Sequence, residues 1–467
     1  MSELINATYD INEIIKATGG KTSQHDAVAI NGINGVTIDS RKVMSGNLYV
    51  ALKGEKVDGH SFVATALSAG AAYCLVEKIM PDAPVERQIL VDDCLKALQD
   101  IANYIRTKHN FFVIGVTGSV GKTSTKEILA LTFAKQTQAH ATSGNYNNHI
   151  GLPLTIANAP ANAKTLILEM GMNHAGEINI LSEIARPNIA IITTVDAVHL
   201  EFFESVAGIA HAKAEIMDGM AAGETVILPL DNPYFEILHE KAKQHKLSIK
   251  TFGKSVNADY RLLEYNVGSD GTKAIIAING MQKTLELQVV GEHLAINALA
   301  VLAAIEAAGL NIDLAIQTLY EFHDAKGRGE LIKLQISNAH INILDETYNA
   351  SPASMRASFK KLQAMAGGMR KIAVLGDMRE LGVDSAKLHA SLSNDLMQCG
   401  FDEIYLVGEL MQNLHKSALE LGINSKHFVS NLELATKLKD ELKNNDFILC
   451  KGSRGSKIEE IIAFLRA

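Results

Sequence analysis

The chain has 467 residues, 47% of them hydrophobic and 21% charged; at about 100 to 200 residues per domain this predicts two to four domains and excludes a small disulfide-stapled scaffold. The composition is close to that of average soluble globular proteins, which excludes a largely disordered chain. Lys plus Arg number 44 against 52 Asp plus Glu, a net charge of −8, so no overall basic field draws the chain to nucleic acid or anionic lipid, and any phosphate it binds must be held locally.

Residues 1–108 form a first region, in which IDSRKV (38–43) and NLYVALKG (47–54) read as strands. From Phe111 onward the apolar runs FFVIGVT (111–117), TLILEM (165–170), NIAIITTV (188–195) and ETVIL (224–228) alternate with helical stretches. Near-continuous apolar strands separated by helices describe a parallel sheet covered on both faces. The texture changes at 260–290, where turn signals at GSDG and NG separate three strand-like runs, an antiparallel meander joined to the parallel sheet. An Ala-rich helix over about 293–309 and another to about 322 follow, and AKGRGE (325–330) reads as a hinge. A second alternating series, INILD (341–345), KIAVLGD (371–377), EIYLVG (403–408), HFVS (427–430) and FILCKG (447–452), predicts another doubly wound unit. The expectation is an α/β chain of three domains, 1–108, 109–324 and 325–467. Four Cys without a CxxC pair match neither a disulfide framework nor a zinc site, which points to a reducing cytoplasm. The N-terminus lacks a basic stretch followed by an apolar one. The most apolar helix, 294–310, is interrupted by Asn297 and Glu306 and is too short to span a bilayer, so neither secretion nor membrane insertion is expected.

The strongest chemical signal is Thr117-Gly-Ser-Val-Gly-Lys-Thr-Ser124, between a buried-type strand and a helix starting near Lys122. Such a turn points several backbone N–H groups at one spot, where the helix dipole also favours an anion. Lys122 then lies along the β- and γ-phosphates of a nucleotide and the Thr123 hydroxyl is available to Mg²⁺, although Val116 stands where the eight-residue pattern has its first Gly. Glu169, at the end of its apolar run, and His199, after the next, both fall at the sheet edge where open α/β sheets bind ligands, and together they suit a second divalent cation. Lys213 occupies the helical stretch 205–220 at a position where the stripe Val206, Ala210, Met217, Met220 calls for an apolar residue. Such a Lys either snorkels to solvent or is held neutral, and a neutral amine reacts with CO₂ to give a carbamate, a carboxylate-like ligand. Weaker signals are GNYNNHIGLP (144–153), Asn297 in its Ala-rich helix, Arg328 in the hinge, Asp345 at a strand end, and KGSRG (451–455), a further turn with donors for an anion.

Taken together these motifs resemble the Mur ligase family. TGSVGKTS, Glu169 with His199, and AHAKAEI around Lys213 resemble its central domain. IDSRKVMSGNLYVALKGEKVDGHSF (38–62) resembles its UDP-sugar domain, and DETYNASP (345–352) and LGDMRELG (375–382) the C-terminal domain of the member that adds a dipeptide. The resemblance implies an ATP- and Mg²⁺-dependent amide ligase that joins D-alanyl-D-alanine to a UDP-N-acetylmuramoyl-tripeptide through an acyl phosphate, releasing ADP and phosphate, a cytoplasmic monomer of peptidoglycan synthesis. It implies that Gly118, Ser119, Val120, Gly121, Lys122, Thr123 and Ser124 cradle the ATP phosphates, with Asn297, Arg328 and Asp345 also on the nucleotide. Thr123, Glu169 and His199 become metal ligands, Lys213 a carbamate, Ser40 and Arg41 part of the UDP site, and Asn147 and Asn148 neighbours of the sugar-peptide. Leu294 and Ser351 depart from the family pattern, which usually has Asn at both places; Ser351 can still cap a helix with Pro352 at its first position. Another ligase on the same scaffold, or a P-loop switch that hydrolyses nucleotide without small-molecule acceptors, are the competing readings.

Overall fold

The computed structural model describes residues 7–22, 32–198, 200–268, 271–324, 327–336 and 338–467. It contains three sheets in chain order. The first has β1 (Val36–Thr37), β2 (Leu48–Val50), β3 (Tyr73–Val76) and β4 (Gln88–Leu90), all parallel and in sequential order. Here the sequence expectation for 38–43 fails: Ser40–Lys42 is a 3₁₀ turn, because the Asp39 carboxylate accepts from the Arg41 N–H and pairs with its guanidinium, bending the chain just after β1. Local side-chain bonding of this kind competes with a strand ladder.

The second sheet holds β5 (Phe112–Thr117), β6 (Ala139–Ala141), β7 (Thr165–Glu169), β8 (Ile189–Ile192), β9 (Thr225–Pro229), β10 (Ser248–Gly253), β11 (Tyr260–Gly268), β12 (Gly271–Ile278) and β13 (Met281–Leu287). Its order is β13-β12-β11-β10-β9-β8-β5-β7-β6, parallel from β6 across to β11 and antiparallel beyond. Burial explains the two textures. Every residue of β7 is buried, as befits a strand covered on both faces, whereas β12 alternates because one of its faces is in water. The chain leaves β5 for β6 and β7 on one side and then crosses to β8 on the other, so β5 lies at a switch point, where such sheets open a crevice at their carboxyl edge. The helices Lys122–Ala134, Glu292–Ala307 and Ile312–Leu319 cover one face. The core on the other face is continuous with that of the first sheet, through the helix Cys94–His109, which packs on both.

The third sheet, β14 (Glu330–Ile336), β15 (Ala339–Glu346), β16 (Arg370–Gly376), β17 (Glu403–Val407), β18 (Ser425–Phe428) and β19 (Asp446–Lys451), runs β14-β15-β19-β16-β17-β18, with only β14 antiparallel. It has its own core on each face. Ser351 caps the helix Pro352–Ala366 in a capping box with Ser354, so its departure from Asn costs the helix nothing visible. Among the described residues no helix is long and apolar enough to cross a membrane.

His389 is fully buried; its Nε2 accepts from the Met378 N–H at 2.9 Å and its Nδ1 donates to the Ser385 carbonyl at 2.7 Å, an arrangement only the neutral ring can make. Burial pushes its pKa below the ordinary 6.5, with the Ser385 bond and Asp377 opposing the shift, and burial does the same to His140. In the window between the folded and unfolded pKa the unfolded chain binds more protons, so this stability is fully present above about pH 6.5 and is lost as pH falls. Chemical denaturation from pH 7 down to pH 5 is expected to show a falling unfolding midpoint, with a shallower slope in His389→Gln.

Candidate active site

The turn after β5 is built by exclusion of side chains. Gly118 adopts φ 148° with its α-carbon against Thr193, where any β-carbon would overlap the Thr193 hydroxyl. Gly121 adopts φ 88°, and a β-carbon there would stand 2.9 Å from Asn297 Nδ2. The turn is then tied to the end of β8. Thr193 Oγ1 donates to the Val120 carbonyl at 2.6 Å, the Ser119 N–H donates to the Thr194 carbonyl at 2.8 Å, and Ser119 Oγ bridges the Asp196 carbonyl and N–H. These bonds aim the N-terminus of the helix Lys122–Ala134, with buried Thr123 in its first turn, into the crevice beside β5. Lys122 Nζ folds back onto the Gly118 carbonyl at 2.6 Å, with the Ser119 carbonyl at 3.4 Å. Burial pulls its pKa below the usual lysine range; the Glu169 carboxylate opposes this and the Arg328 charge adds to it.

Glu169, buried at the end of β7, accepts from Asn147 Nδ2 at 2.7 Å through Oε1, while Oε2 is buried without a hydrogen-bond partner among the described residues. A buried carboxylate oxygen left without a partner among the described residues is a donor that suits a hard cation. Lys213 is 2% exposed, so it does not snorkel; burial, with the nearby Lys122 charge, pulls its pKa well below the lysine range. The helix that carries it is shorter than expected, Val206–Ala214, and tightens to a 3₁₀ turn at Glu215–Met217. His199 lies outside the described residues, as do 325 and 326 of the expected hinge.

The third sheet contributes from the far side of the crevice. The Arg328 guanidinium stacks on the Tyr348 ring at 3.8 Å, with Arg454 over the same ring at 5.6 Å. Gly327 and Gly329 are docked by backbone bonds to Tyr348 and Asp345. Asp345 is buried, its carboxylate taken up by the Thr347 N–H and hydroxyl. Lys361, also buried, pairs with Asp324 at 2.5 Å across the connection from the second sheet.

Residues 32–106 match the Mur ligase family catalytic domain, 116–305 the Mur ligase middle domain and 327–454 the Mur ligase glutamate ligase domain. The UDP-N-acetylmuramoyl-tripeptide–D-alanyl-D-alanine ligase of Bacillus subtilis (strain 168) is 35% identical over 97% of this chain and 96% of its own. The chain belongs to the Mur ligase family. Among solved structures, MurF from Acinetobacter baumannii superposes on this Mur ligase with a TM-score of 0.89 at 29% identity, covering 99% of each chain. MurF ligase from Thermotoga maritima in complex with ADP gives 0.80 at 28% identity, over 92% of this chain and 97% of that one.

The other expected residues of this Mur ligase fall in two places. A cavity of about 630 Å³ opens between the first and second sheets, lined by Asn34, Lys42, Met44, Asn47 and by Ser143 to Tyr146. Ser40 and Arg41 flank it rather than line it, and Arg41 is 87% exposed in its pair with Asp39. Asn147 points to Glu169, whereas Asn148 accepts from the Ile150 and Gly151 N–H groups at the start of the helix Gly151–Ala157. Sequence reasoning missed Thr193, Asp196 and Tyr348; the last stands inside DETYNASP, where an aromatic between two polar residues was the available signal.

Gly118→Ala tests the construction. The added methyl has nowhere to go, and strain plus displacement of Thr193 is expected to weaken ADP binding on the order of 100-fold with circular dichroism unchanged, read by equilibrium titration.

Proposed function

We propose that this Mur ligase joins D-alanyl-D-alanine to a UDP-N-acetylmuramoyl-tripeptide at the expense of ATP. The observation that carries the reading is the end-to-end similarity to ligases of that name, across all three sheets. In this reading residues 1–108 bind the UDP-sugar, 109–324 the nucleotide and 325–467 the dipeptide. The γ-phosphoryl of ATP moves to the terminal carboxylate of the tripeptide and ADP leaves; the dipeptide amine then adds to the acyl carbon, phosphate departs, and the amine gives up a proton.

The residues divide this work. Residues 118–124 offer N–H groups to the phosphates, and Lys122 exchanges its hold on the Gly118 and Ser119 carbonyls for phosphate oxygens. Asn297 and Arg328 bound the nucleotide from two sides, with Asp345 holding Thr347 and the hinge backbone behind them. Ser40 and Arg41 serve the uridine end of the cavity, with Asn147 and Asn148 at its sugar-peptide end. Thr123 would hold one Mg²⁺ and Glu169 with His199 another, with a carbamate on Lys213 as a further oxygen ligand; the unpartnered Glu169 Oε2 is the observation that fits. When bound, the ion neutralises phosphate charge. Enclosure between sheets keeps water from an acyl phosphate. The enzyme so described works as a monomer in the cytoplasm, and its acidic balance gives it no attraction to nucleic acid.

Two measurements decide the matter. ADP release is expected only when both the UDP-muramoyl-tripeptide and D-alanyl-D-alanine are present; brisk hydrolysis of ATP by the protein alone, indifferent to both, would identify a switch instead. Lys213→Ala is expected to lower kcat/KM at least about 100-fold, with partial recovery in acetate or formate, which stand in for the carbamate. Lys213→Arg stays inactive because a guanidinium remains protonated and repels the cation. Full activity of the Ala variant in CO₂-free buffer would refute the carbamate.

A further inference from the structure

Lys126 stands one turn beyond Lys122 on the same helix and is 1% exposed. A lysine so deeply buried is rare unless its charge is fixed by partners. Its Nζ donates to the Thr142 carbonyl at 2.9 Å and pairs with the Glu127 carboxylate, which itself faces water. Thr142 is buried in turn: its N–H donates to the Ile167 carbonyl at 2.9 Å, and its Oγ1 accepts from the Glu169 N–H at 3.1 Å. Five residues later Asn147 holds the Glu169 carboxylate at 2.7 Å, and its carbonyl accepts from Gly171 N–H at 2.8 Å. Between these anchors Ser143, Gly144, Asn145 and Tyr146 line the 630 Å³ cavity. One short segment therefore touches the phosphate-binding helix at one end, the cation-ready carboxylate at the other, and the cavity in its middle.

We propose that Lys126 is a positioning residue that couples occupancy of this cavity to the nucleotide site. Resting on the function proposed above, the inference is that a UDP-linked substrate seated against 143–146 holds Asn147, and through it Glu169, in the orientation a magnesium nucleotide needs. Lys126 makes the phosphate-binding helix the fixed end of that segment. Without it the segment can follow its ligand while Glu169 and the helix stay behind, and the two sites become independent. Coupling is reciprocal, so it is legible in binding without turnover.

The experiment is isothermal titration of ADP with Mg²⁺ into the full chain, with and without saturating UDP-N-acetylmuramoyl-tripeptide. In the wild type the tripeptide is expected to tighten ADP at least about fivefold, and in Lys126→Met this ratio should fall to about one. Lys126→Arg, which keeps a buried donor toward Thr142, should recover part of it. Should Lys126→Met fail to fold, Thr142→Val takes its place: it removes the hydroxyl that accepts from Glu169 and should also bring the ratio to about one. A wild-type ratio of one, or a ratio undiminished in the folded variant, overturns the inference while leaving the ligase reading intact. A wild-type chain that binds neither compound overturns both.

Discussion

A turn with no room for a side chain governs this molecule. Gly118 must lie against Thr193, and that contact brings the ends of β5 and β8 into one plane and fixes the start of the helix that follows. Because β5 sits between β7 and β8, the same plane receives Glu169 from one neighbour and Thr193 to Asp196 from the other. Polar and charged groups gather around this seam: Asn297 over Gly121, Lys122 folded onto the turn, and Arg328 just before the third sheet. In the reading proposed above, the helix N-terminus and the backbone N–H groups form the anion site.

Cations dominate the crevice although the chain as a whole carries −8. Among the described residues Lys122, Lys213 and Arg328 have no carboxylate within ion-pair distance, whereas Lys126 and Lys361 do. Concentrating unpaired positive charge away from bulk water is unfavourable for the empty protein, and burial accordingly pulls Lys122 and Lys213 toward their neutral forms. In the reading proposed above, a polyphosphate offsets that cost at Lys122 and Arg328, while the neutral amine of Lys213 is the form that takes up CO₂.

Much of this was legible because burial on both faces writes continuous apolar runs, as in β5, β7, β8 and β9. Some of the strands that escaped have other textures, although Tyr73–Val76 is buried throughout and escaped as well. Ala139–Ala141 is three half-buried residues, Ser248–Gly253 begins exposed, and Glu330–Ile336 is a partly wet edge. Asp39 converted a strand-like stretch into a turn through bonds that residue type alone does not announce. In the site, Lys213 betrayed itself by breaking an apolar stripe. Lys126 did not, because GKTSTKE reads equally well as a solvated helix start and its partner, Thr142, is set by the fold rather than by spacing. Asn148 shows the reverse case, an amide whose side-chain carbonyl goes to the start of a helix.

The cores are divided unequally. The first sheet shares a continuous apolar core with one face of the second, sealed by the helix Cys94–His109 and by the Asn158 side chain, which both donates to and accepts from Val36. The third sheet closes its own cores on both faces and meets the rest through sparse polar contacts such as Glu201 with Glu380 and Asp324 with Lys361. In the currency of inheritance these are different kinds of module. A recombination event could bring in a foreign third sheet, with a different acceptor, and leave both remaining cores sealed. Replacing the first sheet alone would strip cover from the helices beneath the second, so those two regions must change together.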